Sequence, residues 1–132
     1  MRESGIIVDR DLLIETTVEP RSGYIAMNRL LDLPNPPTAL FAIHDLIAID
    51  AMQAAFDRGL RVPEDISIAS FDGIQSTQIT KPPITTVRQP ITDIGKRAVE
   101  ILFSHIQDPS IPPTRETVPV QLIVRESNAR AK

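Results

Sequence analysis

Apolar residues in the middle of the chain form two short runs on either side of an amphipathic stretch. Residues 39–43 and 66–71 have the length and composition of buried strands, while residues 46–56 are apolar on a broad face and are followed by Gly59 as a helix stop. Two strands joined by a helix of this length predict a β-α-β unit with a parallel sheet.

Polar side chains follow both predicted strands at the point where each should end. His44 and Asp45 follow the first run, and Asp72 closes the second. Because open α/β sheets bind ligands beyond the carboxyl ends of their strands, His44 and Asp72 are candidate ligand contacts. Asp45 is instead predicted to cap the helix, since a side-chain oxygen there satisfies free N–H groups of the first turn.

The flanking segments continue the alternation of strands and helices. Strand-forming residues at 12–18 predict a first strand, and Pro20 suits the start of a helix. Residues 84–87 and 116–124 predict two later strands. The helix predicted at 92–107 between them is apolar on two adjoining faces, so it should be covered on both sides. The predicted order β-α-β-α-β-β-α-β belongs to the α/β class.

Composition and charge exclude several classes of protein. The chain has 132 residues, a formal net charge of −3 and no cysteine. It therefore lacks the basic patch of a nucleic-acid-binding surface, and disulfides and thiol catalysis are excluded. No run approaches the ~20 apolar residues of a membrane span, and the chain opens without the apolar core of a signal peptide. We expect a cytoplasmic protein with no membrane partner.

Catalytic motifs give no support for an enzyme. The sequence has neither a glycine-rich phosphate loop nor a G-x-S-x-G nucleophile motif. Its two histidines, His44 and His105, do not have metal-ligand spacing. Asp45 and Asp72 at one sheet edge faintly resemble a phosphate-accepting receiver, but the spacing is wrong and no lysine follows at a later strand end. We expect no enzymatic activity, no cofactor and no metal.

Four segments carry a resemblance to a known family. They are PTALFAIHDLIAIDAM, GLRVPEDISIASFDG, KPPITTVRQPI and VRES. In this order and spacing they closely resemble the C-terminal half of the lactose-repressor/galactose-repressor (LacI/GalR) family of bacterial transcriptional regulators. Members have a helix-turn-helix head and a two-subdomain core that binds a small effector in its cleft. The resemblance implies a three-layer α/β sandwich of the periplasmic-binding-protein-like (type I) fold.

The resemblance also implies how the chain is divided. Residues 1–88 and 116–128 correspond to the C-terminal effector-binding subdomain, which is expected to be incomplete. Residues 89–115 correspond to a crossover and a helix of the N-terminal subdomain. The chain has no counterpart of the DNA-binding head, so operator DNA would be bound only through that head.

Self-association is expected for the same reason. In the family's strand order, a strand preceding this chain would lie between the predicted strands 12–18 and 39–43. Without that strand, and without the partner of helix 92–107, backbone groups and apolar faces need cover. We expect a homodimer or higher oligomer, and exchange of segments between protomers across residues 85–90 is one way to form it.

Four residues correspond to positions where the family contacts its effector. Asp72 matches an aspartate that accepts hydrogen bonds from effector hydroxyls or ring nitrogens, and a carboxylate suits a vicinal diol. His44 stands where many members have asparagine, and Gln89 matches a glutamine that contacts the effector or the hinge. Val18 falls where several members have a stacking aromatic, which valine cannot replace. The resemblance implies a small-molecule effector, with a carbohydrate favoured.

Other apolar residues have predicted structural roles. Ile49 and Met52 match a dimer contact of the family, although both could instead pack in the core against the sheet. Phe41 and Phe71 are predicted core residues because they lie inside apolar strand runs. Two alternative functions remain. One is a periplasmic-type sugar-binding protein, against which the regulator-like segments 59–65 and 82–86 argue, and the other is a dimerisation module without ligand.

Overall fold

A computed structural model describes residues 9–130, which form one mixed sheet and three α-helices. The elements are α1 (Ser22–Leu31), β1 (Ala39–Ala42), α2 (Asp45–Asp57), β2 (Ser67–Asp72), β3 (Thr85–Arg88), α3 (Ile91–Gln107) and β4 (Gln121–Ile123), with short 3-10 helices at Arg10–Leu12 and Gln75–Gln78. The first eight residues of the predicted effector-binding subdomain lie outside the described part. The α/β class is confirmed.

The sheet has the strand order β1-β2-β3-β4. Strand β1 pairs in parallel with β2, and β2 in parallel with β3, so the predicted β-α-β unit is confirmed. Strand β4 returns antiparallel to β3. The carboxyl ends of the three parallel strands therefore share one edge, where the chain continues into His44, Gly73 and Gln89.

The core lies between the sheet and helices α1 and α2. Its fully buried apolar side chains come from both helices and from the sheet and its approaches, and they include Met27, Ala48, Ala54, Ile66, Ile68 and Ile84. Helix α1 approaches α2 closely at Gly23, where an added Cβ would lie 2.2 Å from the carbonyl oxygen of Ile47. Glycine is the residue that allows this contact, because any side chain would collide with backbone.

The other face of the sheet is only partly covered. Leu40 and Ala42 alternate with Phe41 along β1, so Phe41 points away from the helices. Phe41 is 60% exposed and Phe71 on the neighbouring strand is half-buried. The prediction that Phe41 belongs to the core is wrong, because β1 is the edge strand of the described sheet and its outer face is uncovered.

Two predicted strands differ from the structure. Residues 12–18 form no strand; instead Arg10–Leu12 is a 3-10 turn and the residues after it are irregular, with Leu13 and Val18 exposed. A strand needs a neighbouring strand to pair with, and within residues 9–130 this segment pairs with none. The last strand is confined to Gln121–Ile123 rather than 116–124. Pro119, which has no N–H to donate, lies outside it.

Helix α3 matches its predicted bounds, but its surroundings do not match the expected double cover. None of its residues is buried, and Leu102, Phe103 and Ile106 on its apolar side are exposed. The helix is tied to the returning chain by Arg97, which donates two 2.6 Å hydrogen bonds to Glu116. These contacts are polar and exposed, so the apolar surface of α3 stays open.

Candidate functional site

Three of the four predicted ligand contacts meet at the carboxyl edge of the parallel strands. Gln89 Nε2 donates a 2.7 Å hydrogen bond to Asp72 Oδ1, and the backbone N–H of Gln89 donates to the carbonyl oxygen of Asp72 at 3.1 Å. His44 Nε2 lies 3.3 Å from Asp72 Oδ2. We call His44, Asp72 and Gln89 the edge cluster.

His44 is held in place by the start of helix α2. Its Nδ1 accepts a 3.2 Å hydrogen bond from the backbone N–H of Leu46, which makes His44 the N-cap. The prediction that Asp45 caps this helix is therefore wrong, because the helix begins one residue earlier than expected. Since Nδ1 accepts, a neutral His44 carries its proton on Nε2, the nitrogen that faces Asp72.

Asp72 is the centre of the edge cluster and has an unusual backbone conformation. Its φ is 124°, a value that side-chain-bearing residues rarely adopt. Oδ1 is paired with Gln89, but Oδ2 is buried and has no hydrogen-bond partner within residues 9–130. The nearby Nε2 of His44 is within ion-pair distance but does not have hydrogen-bond alignment. A buried acceptor without a donor is costly, so Oδ2 gains from any donor that reaches it.

The turn after Asp72 is built for close contact. Gly73 has a φ of 78°, and an added Cβ would lie 2.6 Å from Cα of Arg88 at the end of β3. Both the conformation and the space therefore require glycine at this position. The turn brings the ends of β2 and β3 together directly beneath the edge cluster.

Asp45 is a buried carboxylate beneath the same edge. It accepts hydrogen bonds from the hydroxyl of Ser70 on β2, from Thr86 Oγ1 on β3 at 2.7 Å and from the backbone N–H of Ile74 at 2.7 Å. Sequence reasoning missed this role. The available signal was a pair of hydroxyl residues, Ser70 on β2 and Thr86 on β3, which lie in register on the same face of the sheet.

Val18, the fourth predicted contact, is not part of the edge cluster. It lines a shallow groove of about 230 Å³ whose other walls include Leu46, Ile49 and Asp50 on α2. His44, Asp72 and Gln89 do not line this groove. Val18 as a ligand contact stays a prediction.

The two predicted interface residues have different surroundings. Met52 is 3% exposed and packs in the core, so it offers almost no surface to another chain. Ile49 is half-buried beside the core and borders the groove. Their role in a dimer stays a prediction, which Ile49 fits better than Met52.

Neither a metal-ligand cluster nor a membrane-spanning helix is found among the described residues. Across residues 9–130, no three histidine, aspartate or glutamate side chains are grouped as metal ligands would be. Within the same range, no helix has the length and apolar character needed to cross a membrane.

Comparison with known proteins agrees with this architecture. The protein-family model for a periplasmic binding protein-like domain matches residues 1–128 of this chain. The HTH-type transcriptional repressors PurR of Pasteurella multocida and CytR of Escherichia coli K12 are 38% and 39% identical to this chain over 127 residues. Each match covers 96% of this chain but only 38% and 37% of the repressors. The chain thus spans about two-fifths of the length of these relatives.

A solved structure extends the similarity to three dimensions. A LacI family transcriptional regulator from Enterococcus faecium with bound ribose superimposes with a TM-score of 0.80 at 32% identity, covering 91% of this chain and 44% of the regulator. The sequence match and the shared fold are consistent with each other. The chain therefore belongs to the family of periplasmic binding protein-like domains, in the form found in LacI-family transcriptional regulators.

Proposed function

We propose that this chain is the effector-binding part of a transcriptional regulator and that its edge cluster binds a small neutral sugar. The observation that carries the proposal is the buried Oδ2 of Asp72, an acceptor without a hydrogen-bond donor among the described residues. It lies beyond the carboxyl ends of parallel strands, where open α/β sheets bind their ligands.

The chemistry of the edge cluster favours a ligand rich in hydroxyl groups. Asp72 Oδ2 and the amide oxygen of Gln89 can accept hydrogen bonds, and the Nε2–H of His44 can donate one. A sugar hydroxyl both donates and accepts, so adjacent hydroxyls can satisfy these groups together. A negatively charged ligand is disfavoured because it would face the Asp72 carboxylate. The ribose bound to the similar Enterococcus regulator supports the same class of ligand.

The remaining assignments follow the family. We propose that residues 1–88 and 116–128 form the effector-binding subdomain and that 89–115 belong to a second subdomain. The open apolar side of α3 supports this division, because a helix of that kind needs a protein partner. Operator DNA would be bound by a separate head. The regulator would be a cytoplasmic protein without enzymatic activity.

Self-association is a second candidate function, and a specific observation favours it. Exposed apolar residues lie on α3 and on the outer sheet face around Phe41 and Leu122, and exposed apolar patches often mark protein contacts. We propose that the chain forms a homodimer or higher oligomer through such surfaces, with Ile49 a further candidate contact.

The ligand proposal can be tested by NMR titration of the 132-residue chain with D-ribose, followed by other neutral sugars and by ribose 5-phosphate. We expect weak binding, with a dissociation constant on the order of millimolar, because one wall of a cleft makes few contacts. Signals of His44, Asp72 and Gln89 should shift with the neutral sugar and not with the phosphate.

The matched variants are Asp72→Asn and Asp108→Asn. Asparagine tolerates the positive φ of Asp72 but removes its charge, so sugar affinity should fall by about 1.5–3 kcal/mol. The side chain of Asp108 lies beyond the far end of α3, where it accepts hydrogen bonds from Ser110, and its replacement should leave sugar affinity unchanged. Unchanged affinity in folded Asp72→Asn would show that Asp72 is only a turn residue.

A further inference from the structure

The conformation of Asp72 requires an external restraint. Its φ of 124° is followed by a φ of 78° at Gly73, so two successive residues have positive φ. Glycine adopts such values freely, whereas a residue with a side chain is strained there and keeps the conformation only when its surroundings hold it. Some group near Asp72 must therefore supply that restraint.

Asp45 contacts the chain on both sides of Asp72. Its Oδ1 accepts from the hydroxyl of Ser70, two residues before Asp72, and its Oδ2 accepts from the N–H of Ile74, two residues after, at 2.7 Å. A third hydrogen bond from Thr86 fixes the carboxylate to β3. Asp45 itself is fully buried. One immobile carboxylate thus holds both flanks of the strained residue.

We infer that Asp45 is a positioning residue for the edge cluster, and that it sets the direction of the Asp72 carboxylate by holding Ser70 and Ile74. This inference rests on the proposed sugar site. Asp45 does not touch the ligand in this account. The pairing of β2 with β3 and the hydrogen bond from the N–H of Gln89 to the carbonyl oxygen of Asp72 also hold the backbone here. The Asp45 side chain adds contacts with the chain on both sides of Asp72.

Ile74→Pro removes the N–H that reaches Asp45 and little else. The φ of Ile74 is −66°, the value that a proline ring imposes, so the backbone can keep its course. Ile74→Ala is the matched control, because it shortens the same side chain but keeps the N–H. Asp45 and its contacts with Ser70 and Thr86 are untouched in both variants.

Two NMR signals report the conformation without any ligand. The three-bond coupling between the amide proton and Hα of Asp72 is small at a φ of 124° and large in ordinary extended backbone. The side-chain NH₂ signals of Gln89 report its hydrogen bond to Asp72 Oδ1. We expect both to change in Ile74→Pro and to keep their wild-type values in Ile74→Ala. D-ribose affinity should fall roughly fivefold or more in the proline variant alone, the size of one lost hydrogen bond.

The outcomes separate this inference from the proposed function. If Ile74→Pro keeps the wild-type Asp72 coupling and Gln89 signals, Asp45 does not position the cluster and the inference is overturned. If wild-type protein does not bind D-ribose, the choice of sugar fails while the two signals still decide the role of Asp45. If the proline variant does not fold, Ser70→Ala releases the other flank. An unchanged Asp72 coupling there overturns the inference, and a changed one supports it.

Discussion

Helices α2 and α3 are both amphipathic, yet one is buried and the other is bare. Helix α2 lies between the sheet and α1, and seven of its residues are buried, including the carboxylate of Asp45. Helix α3 has four more residues and none that is buried. The difference is in what surrounds each helix, since α2 crosses between two adjacent parallel strands whereas α3 leaves the sheet after β3.

The comparison shows what an apolar pattern can and cannot specify. An apolar face indicates that a helix will be covered, but the cover can be supplied within the chain or by another protein surface. For α2 the cover is local in sequence, because the β-α-β connection forces the helix back onto its own strands. For α3 the described residues bury no side chain, and we propose that its apolar side contacts another protein surface.

The largest expected effect separates the two regions by stability. Ile68→Ala empties a fully buried site in β2 and should lower the free energy of unfolding by about 2–5 kcal/mol. Ile106→Ala makes the same change on α3, where Ile106 is 64% exposed, and should cost no more than about 0.5 kcal/mol. Urea denaturation of both variants, at a protein concentration low enough to keep the chain monomeric, measures this. Equal losses would mean that α3 is packed in solution as tightly as the core.

The second prediction concerns the open side of α3. We expect the chain to associate at micromolar concentration, and Leu102→Glu to weaken the association because it places a charge in the apolar surface. Lys96→Glu, an exposed polar position on the same helix, is the control and should have little effect. Multi-angle light scattering gives the mass of each. A wild-type monomer that unfolds cooperatively would show that the chain covers these faces by itself.

The smallest expected effect concerns the ion pair between Arg97 on α3 and Glu116 in the segment that follows α3. Hydrogen bonds from Arg97 lower the pKa of Glu116 below its ordinary value of 4.5. A carboxylate whose pKa is lowered in the fold contributes stability that is fully present above that ordinary value and is lost as the pH falls through the lowered pKa. Glu116→Gln should therefore weaken the attachment of α3 to the segment around residue 116 at neutral pH, and should not change it in acid.

Hydrogen exchange of the α3 amides at both pH values measures how much the ion pair protects the helix from local opening. Because the pair is exposed, the effect should be modest and should shrink in high salt. A deficit in Glu116→Gln that persists in acid would mean that Glu116 acts through contacts other than its charge.

Much of the fold could be predicted from the sequence where the pattern is local. The two apolar runs around α2 predicted the parallel pair β1-β2, Pro20 predicted a helix start that the structure places at Ser22, and the apolar faces of residues 92–107 predicted α3. The segment 12–18 could not be predicted, because its strand-forming residues have no neighbouring strand within the described residues. Phe41 was misplaced for a related reason, since an alternating strand does not reveal which of its faces will be covered.

The candidate site was predictable to the extent that topology determines it. Parallel strands place His44, Asp72 and Gln89 at one edge, and the structure brings these three together. The functions of His44 and Asp45 at the start of α2 were not predictable, because they depend on whether the helix begins at residue 45 or at residue 46. Asp45 is the more typical cap by propensity, but Ser70, Thr86 and Ile74 together offer it three donors inside the fold.

A crystal structure of the chain with D-ribose is the most direct test of the proposed sugar site, because that site depends on one atom, Asp72 Oδ2. We predict that a sugar hydroxyl lies within hydrogen-bond distance of Asp72 Oδ2, with His44 Nε2 and the side-chain amide of Gln89 on neighbouring hydroxyls. A sugar bound in the groove beside Val18 or on α3, with Asp72 Oδ2 still without a donor, would contradict the account.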